Sequence, residues 1–165
     1  MFREELKVLD CTIRDGGLIN NYHFSDEFVK AIYAATCQAG VDYMEIGKKL
    51  CESDTYSREK FGKWNFCDED DIKRVVDSYD GEYRPTLAVM YDVGRVDTDS
   101  LAPVDQSVVG MIRTACYVAD IDKGLDLVKR SKDQGYETTI NIMAPSAAIE
   151  SDLIEALQQV EDTPE

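Results

Sequence analysis

Segments with strand character and segments with helix character alternate along the whole of this 165-residue chain. Strands that alternate with helices pack as right-handed βαβ units, which place the strands parallel in one sheet. The later strand-like runs are apolar almost without interruption, as expected for strands that are buried on both faces. The chain is therefore predicted to be an α/β protein with a parallel sheet. The five predicted strands are residues 6–13, 41–46, 84–91, 108–117 and 138–143.

The intervening segments carry helix signals. Ser25, followed by two acidic residues, predicts the start of a helix that ends at Gly40. The acidic run at residues 68–71 suits the first turn of a second helix, because carboxylates are stabilised at the positive end of the helix dipole. The remaining predictions are a functional loop or helical turn at 48–67, a loop with at most a short helix at 97–106, and amphipathic helices at 120–134 and 150–160.

Two architectures agree with this alternation, a doubly wound open sheet and part of a (β/α)8 barrel. The first strand–helix connection lacks the G-x-G-x-x-G spacing that binds a dinucleotide. Polar residues instead follow several strands, as in barrels, whose active sites form at the carboxyl ends of the strands. We predict the N-terminal part of a TIM (β/α)8 barrel, with about five β/α units in one domain over residues 1–165. The polar residues at strand ends are Arg14, Asp15, Glu45, Lys48, Tyr91, Arg113 and Asn141.

Charge and cysteine usage limit the partners and the compartment. A formal net charge of −15 at pH 7 argues against nucleic acid and anionic membrane as partners, since both need basic surface. No apolar run approaches the roughly 20 residues of a membrane span, and the first residues do not resemble a signal peptide. The five cysteines form no C-x-x-C pair, which is typical of reduced thiols, so a cytoplasmic location is expected.

The segment Leu-Asp-Cys-Thr-Ile-Arg-Asp-Gly-Gly at residues 9–17 is the most informative for function. It brings Arg14 and Asp15 to the end of the first predicted strand, directly before two glycines. A carboxylate beside a fixed positive charge suits a metal ligand next to a group that holds an anionic oxygen. The same residues also fit a strand end with a turn and a local ion pair, because Asp-Gly is an ordinary turn signal. The residues alone leave both interpretations open.

Two motifs together carry a resemblance to a known superfamily. Asp-Cys-Thr-Ile-Arg-Asp-Gly at residues 10–16 is similar to a D-x-T-L-R-D-G first strand, and Gly-Val-Asp-Tyr-Met-Glu-Ile-Gly at 40–47 is similar to a G-x-x-x-x-E-x-G second strand. The chain thereby resembles the pyruvate-type metalloaldolases and acyltransferases, which include hydroxymethylglutaryl-CoA lyase. It is most similar to 4-hydroxy-2-oxovalerate aldolase-like catalytic domains. The resemblance covers residues from about 6 to 160 and is strongest up to residue 71.

The resemblance implies a lyase that cleaves a carbon–carbon bond of a 2-oxo acid through a metal-stabilised enolate. Asp15 would then bind Mg²⁺ or Mn²⁺, and Arg14 would stabilise the enolate oxygen. Glu45 matches a glutamate that supports the arginine and the metal environment. Arg113, Asn141 and Lys48 are candidate substrate contacts that no motif fixes, and Lys48 fits a solvated loop lysine equally well.

The chain departs from the superfamily pattern at two points. A histidine base is expected near position 18, where Leu18 stands, and the only histidine of the chain is His23 in the following loop. The His-x-His pair that completes the metal site is absent from the sequence. A closed barrel needs roughly 250 residues. We therefore expect either a missing C-terminal barrel half or a homo-oligomer, and little turnover by these 165 residues alone.

Two other functions also agree with the sequence. A half barrel without the histidine pair could be a non-catalytic module that acts through association at its open sheet edges. A Claisen-type synthase of the same superfamily would need an acyl-CoA site, and no motif marks one. The substrate itself cannot be named, because loops determine specificity in such barrels.

Overall fold

The computed structural model describes residues 5–96 and 101–163. Within these ranges five strands form one parallel sheet, and their order across the sheet is their order along the chain. In a doubly wound sheet the order of the strands reverses at a switch point, whereas in a barrel neighbouring strands follow one another along the chain. The prediction of an N-terminal barrel portion is confirmed. The strands are β1 Leu9–Asp10, β2 Tyr43–Lys48, β3 Thr86–Asp92, β4 Met111–Tyr117 and β5 Glu137–Met143.

Five α-helices lie among the strands: two follow β1, one each follows β2, β4 and β5, and the described residues between β3 and β4 form only a short 3₁₀ turn. Ser25 accepts a hydrogen bond from the Phe28 amide at 3.2 Å, and Gly40 ends the same helix with φ of 68°, which confirms both predicted caps. Residues 97–100 of the predicted loop lie outside the described residues. The helices are α1 Thr12–Asn20, α2 Asp26–Ala39, α3 Glu69–Val76, α4 Ile121–Asp133 and α5 Glu150–Glu161, and short 3₁₀ turns occupy Lys63–Asn65, Val104–Gln106, Val118–Asp120 and Pro145–Ala147.

The first strand is much shorter than predicted. Of the predicted strand 6–13 only Leu9–Asp10 forms a strand, and the prediction of a strand at its end is wrong. The chain leaves β1 after Asp10 and enters α1 at Thr12. The Asp10 carboxylate accepts hydrogen bonds from the Thr12 amide at 3.1 Å and the Thr12 hydroxyl at 2.8 Å. This local bonding turns the backbone out of the strand, although Thr12 and Ile13 are β-branched residues that favour a strand. Arg14 and Asp15 therefore lie on a helix.

The main core lies between the sheet and the helices. The outer face of the sheet contributes Met44, Leu87, Val89 and Ile112, all buried, and the helices contribute apolar side chains that pack against them. Burial of apolar side chains at this layer supplies most of the driving force for folding. None of the helices formed by the described residues has the length and apolar character needed to cross a bilayer. The helix side chains of this core include Val29, Tyr33, Ile72, Val75 and Leu127.

A bulge in β2 determines which side chains reach the opposite, inner face. Glu45 is in register with Ala88 and Lys48 with Met90, so one extra residue lies between them on β2. In a regular strand, residues three apart point to opposite faces. The bulge brings Glu45 and Lys48 to the same face. We define the inner face by Glu45, Lys48, Asp92, Arg113 and Asn141, whose register positions alternate with those of the outer core residues.

Candidate active site

A fully buried glutamate is the centre of the inner face. Glu45 is 0% exposed, and a single oxygen, Oε2, accepts hydrogen bonds from Arg14 Nε at 2.7 Å and Arg113 Nη1 at 2.7 Å. Two guanidinium groups thus share one buried carboxylate, and this buried group carries a net positive charge. Such a cluster can attract an anion in a chain whose overall charge is strongly negative.

Arg14 reaches Glu45 from a helix rather than from a strand end. It lies in the first turn of α1, and its Nη1 also contacts the Asp15 carboxylate at 2.6 Å. Burial tends to lower the pKa of Arg14, but the hydrogen bond and charge of Glu45 outweigh it and raise that pKa. Arg14 is therefore a permanent cation held in one orientation, which suits the stabilisation of a developing oxyanion.

Arg113 extends the network across the sheet to the last described strand. Its Nη2 donates to Asn141 Oδ1 at 3.1 Å while Nη1 binds Glu45. The amide nitrogen Nδ2 of Asn141 is buried and has no hydrogen-bond partner among the described residues. A chain of contacts therefore runs from α1 through β2 and β4 to β5. The structure brings together four predicted residues, Arg14, Glu45, Arg113 and Asn141.

Cys11, which lies in the segment predicted as the first strand, joins this network. Its thiol donates to Glu45 Oε2 at 3.5 Å and lies 3.8 Å from Arg113 Nη1. Burial, followed by the nearby charge of Glu45, raises the pKa of the thiol to about 11. A thiol with so high a pKa is a hydrogen-bond donor and not a nucleophile at neutral pH. The thiol is thus a third donor to Glu45 Oε2, while Oε1 of the same carboxylate has no hydrogen-bond partner among the described residues.

A second, separate ion pair lies on the same inner face. Lys48 Nζ binds Asp92 Oδ2 at 3.0 Å, and both side chains are largely buried. Arg95 Nη1 approaches the same carboxylate oxygen at 3.5 Å. Lys48 is therefore not a solvated loop lysine. The sequence analysis did not identify Asp92 and placed the polar end of the third strand at Tyr91. In the structure Tyr91 belongs to the outer core cluster.

Asp92 carried a usable signal in the sequence. It ends β3 two residues before Gly94, the same pattern of a strand, a charged residue and a glycine that drew attention to residues 9–17. The pairing of Asp92 with Lys48 was not accessible, because it depends on the β2 bulge. No simple alternation pattern reveals a bulge in advance.

The predicted metal ligand is exposed at the edge of the network. The Asp15 side chain is 58% exposed and its one ion pair is with Arg14. Within residues 5–96 and 101–163 there is no group of three or more His, Cys, Asp or Glu side chains that could hold a metal ion. The described residues therefore do not by themselves form a complete site for Mg²⁺ or Mn²⁺.

His23, the predicted base, points away from the network. Its ring nitrogen Nε2 lies 3.3 Å from the Lys60 carbonyl oxygen, and the residue is exposed. The preceding residue, Tyr22, is buried instead, and its hydroxyl has no hydrogen-bond partner among the described residues. Sequence reasoning missed Tyr22, because a tyrosine in a polar loop gives no signal of burial.

Comparisons with known proteins find two enzymes of low sequence identity to this chain. An oxaloacetate decarboxylase from Mycobacterium tuberculosis is 25% identical over 149 residues, which are 90% of this chain and 42% of that protein. A 4-hydroxy-2-oxovalerate aldolase from Rhodococcus jostii is 23% identical over 136 residues, 82% of this chain and 37% of that protein. The chain thus spans less than half the length of these curated relatives. No family model matches the chain.

A solved structure gives the same result for the fold. The crystal structure of the N-terminal domain of a candidate aldolase from Bacteroides vulgatus superposes with a TM-score of 0.68 at 27% identity, over 94% of this chain and 52% of that one. The resemblance to the aldolase superfamily is confirmed. Both curated relatives carry the names of enzymes that act on 2-oxo acids.

Proposed function

We propose that this chain forms the N-terminal part of the active site of a lyase that cleaves a carbon–carbon bond in a small 2-oxo acid. The observation that carries the proposal is the Arg14–Glu45–Arg113 network on the inner face of a half-barrel. Cleavage beside a carbonyl group develops negative charge on an enolate oxygen. Fixed cationic donors near that oxygen stabilise the charge more in the transition state than in the ground state.

Each residue of the network has a place in this proposal. Arg14 donates to the enolate oxygen, and Glu45 orients Arg14 and Arg113 without touching the substrate. Arg113 and Asn141 provide donors for the substrate carboxylate, and the unpartnered Nδ2 of Asn141 supports this role. Lys48, neutralised in part by Asp92, adds positive charge to the same face.

A divalent cation, Mg²⁺ or Mn²⁺, belongs to the proposal with Asp15 as its ligand from this chain. The cation would supply Lewis-acid stabilisation of the enolate when bound. The remaining ligands would lie outside the described residues, since these hold no group of three or more His, Cys, Asp or Glu side chains that could bind a metal ion. The predicted base His23 would have to leave the Lys60 carbonyl to reach a substrate, and it is the least supported of the proposed site residues.

The test compares two aspartates with similar surroundings. Asp15 and Asp126 are 58% and 60% exposed, and each forms an ion pair with an arginine. In the complete protein with Mn²⁺, Asp15→Asn should lower the rate of pyruvate release from oxaloacetate or a 4-hydroxy-2-oxo acid by about a hundredfold or more. Asp126→Asn should leave it within about twofold, as expected for a surface ion pair remote from the site. Retention of full activity by Asp15→Asn would contradict the proposed site.

A second function, a non-catalytic association module, is favoured by a different observation. Within the described residues β1 and β5 each pair with one strand only. After β5, Ile149 at the start of α5 and Ile154 and Leu157 within it are exposed. Open strand edges beside apolar surface favour pairing with another chain. Light scattering after size exclusion separates the two functions. A dimer without activity toward any 2-oxo acid would favour the module.

A further inference from the structure

Tyr22 is held in a costly conformation that buries its side chain. The residue follows α1 with φ of 62°, and Asn21 before it has φ of 52°, both in the left-handed region that non-glycine residues rarely adopt. The side chain is nevertheless 3% exposed. Backbone strain of this kind persists only where the surrounding structure requires it.

Two glycines make room for Tyr22. A Cβ at Gly17 would collide with the Tyr22 ring, and a Cβ at Gly62 would collide with the Tyr22 carbonyl group. The Gly62 amide also donates to the Asn21 carbonyl at 2.8 Å, and the Tyr22 amide donates to the Gly17 carbonyl at 2.9 Å. The turn is therefore fixed from both sides, and it directs the ring onto α1.

The ring lies on the helix face that carries Arg14. Gly17 is three residues after Arg14, and residues three apart in a helix are neighbours on one face. The ring lies against α1 at Gly17, and the charged groups near enough to act on its hydroxyl are Arg14, Asp92, Asp15 and Glu45. The next residue, His23, is exposed and lies beside the Lys60 carbonyl, so of these two adjacent side chains only that of Tyr22 faces the candidate site.

The hydroxyl is a donor without an acceptor. It has no hydrogen-bond partner among the described residues, although it is buried. Burial raises the pKa of Tyr22 well above its usual value, and three neighbouring carboxylates oppose ionisation further, so the group stays protonated at neutral pH. Buried polar groups are nearly always hydrogen-bonded, and an exception beside a charged cluster needs an explanation.

We propose that the Tyr22 hydroxyl is a substrate contact of this site, which donates a hydrogen bond to an anionic oxygen of a small 2-oxo acid held beside Arg14. The inference rests on the proposed function and adds to it a donor that the sequence motifs do not assign. Arg14 attracts the carboxylate or enolate oxygen to the place where Tyr22 can reach it. The bound oxygen then satisfies a hydroxyl that is otherwise unpaired.

The experiment compares Tyr22→Phe with Tyr33→Phe in the complete protein. Tyr33 is equally buried and belongs to the same core cluster as Tyr22, but its hydroxyl is hydrogen-bonded to the Cys37 thiol. The two readouts are the melting temperature without ligand and the Kd for pyruvate with Mg²⁺ present. Tyr22→Phe should leave the melting temperature unchanged or raise it, because it removes an unpaired buried hydroxyl, and should weaken pyruvate binding about tenfold. Tyr33→Phe should lower the melting temperature and leave the Kd unchanged.

The outcomes separate this inference from the proposed function. If Tyr22→Phe lowers the melting temperature as much as Tyr33→Phe does, the hydroxyl supports the fold and the inference is overturned. It is also overturned if Arg14→Ala weakens pyruvate binding but Tyr22→Phe does not, while the proposed function stands. If the unmodified protein binds no pyruvate with either Mg²⁺ or Mn²⁺, the proposed function fails and the inference fails with it.

Discussion

The inner face around Glu45 and the flank formed by β5 and α5 differ sharply in how they are packed. Glu45 is fully buried between two arginines, and strands β2 to β4 are buried over most of their length. No residue of β5 is fully buried, and α5 buries only Ala156. The charged side chains of this centre come from α1, β2 and β4, and β5 adds only the neutral Asn141. The fifth unit leaves apolar surface that a folded neighbour can cover.

The largest effect is expected from breaking the charged centre. Glu45→Gln removes the buried carboxylate charge that Arg14 and Arg113 share, leaving Arg14 paired with the exposed Asp15, and should lower the free energy of unfolding by about 3–5 kcal/mol. Urea denaturation followed by circular dichroism measures it. The control is Glu52→Gln, an exposed partner of Arg58, which should change stability little. Equal stability of the two variants would mean that the buried network does not hold the inner face together.

A pair of leucine truncations sharpens the comparison next. Leu127 of α4 lies in the main core, whereas Leu157 of α5 is exposed. Leu127→Ala should cost about 2–4 kcal/mol because it creates a cavity, and Leu157→Ala about 0.5 kcal/mol or less. The same denaturation experiment measures both. A large loss at Leu157 would show that the flank is covered in solution, by a second copy or by further chain.

The smallest perturbation uses the natural cysteines. Cys67 and Cys116 are both buried, but Cys67 belongs to the main core and Cys116 clusters with Ile121 and Ala156 beneath α5. Burial raises the pKa of both thiols, so at pH 8 labelling by a disulfide reagent requires opening of the structure. Peptide mapping should find Cys116 labelled about tenfold faster, since fewer contacts must break. Equal rates would instead indicate one cooperative unit.

The sequence predicted the elements well where local chemistry decides them. The Ser25 and Gly40 caps of α2 depend on backbone bonds within a few residues, and both predictions were confirmed. The failure at residues 11–13 has an equally local cause, the Asp10–Thr12 hydrogen bonds, but it required a choice between β-branched propensity and an aspartate turn. The barrel order of the strands followed from alternation together with polar strand ends, and it was correct.

Most residues of the candidate site could be named from the sequence, but the contacts between them could not. Arg14 and Glu45 were found from motifs, and Arg113 and Asn141 from their positions in strands, because side chains at the carboxyl ends of parallel strands meet. The roles of all four remain predictions. Tyr22 and Asp92 were missed. The burial of Tyr22 depends on Gly17 and on Gly62, which is distant in sequence, and the pairing of Asp92 depends on a strand irregularity.

The bulge in β2 has a consequence for how this strand can change during evolution. Before Ile46 the odd-numbered Glu45 faces inward, and after it the even-numbered Lys48 does. Loss of one residue would restore regular alternation and turn Lys48 toward the packed side of the sheet, where Gly47 already contacts Trp64 and Cys67. The number of residues in this strand is thus constrained as strictly as their chemistry, and relatives that keep both charges inward must keep the extra residue.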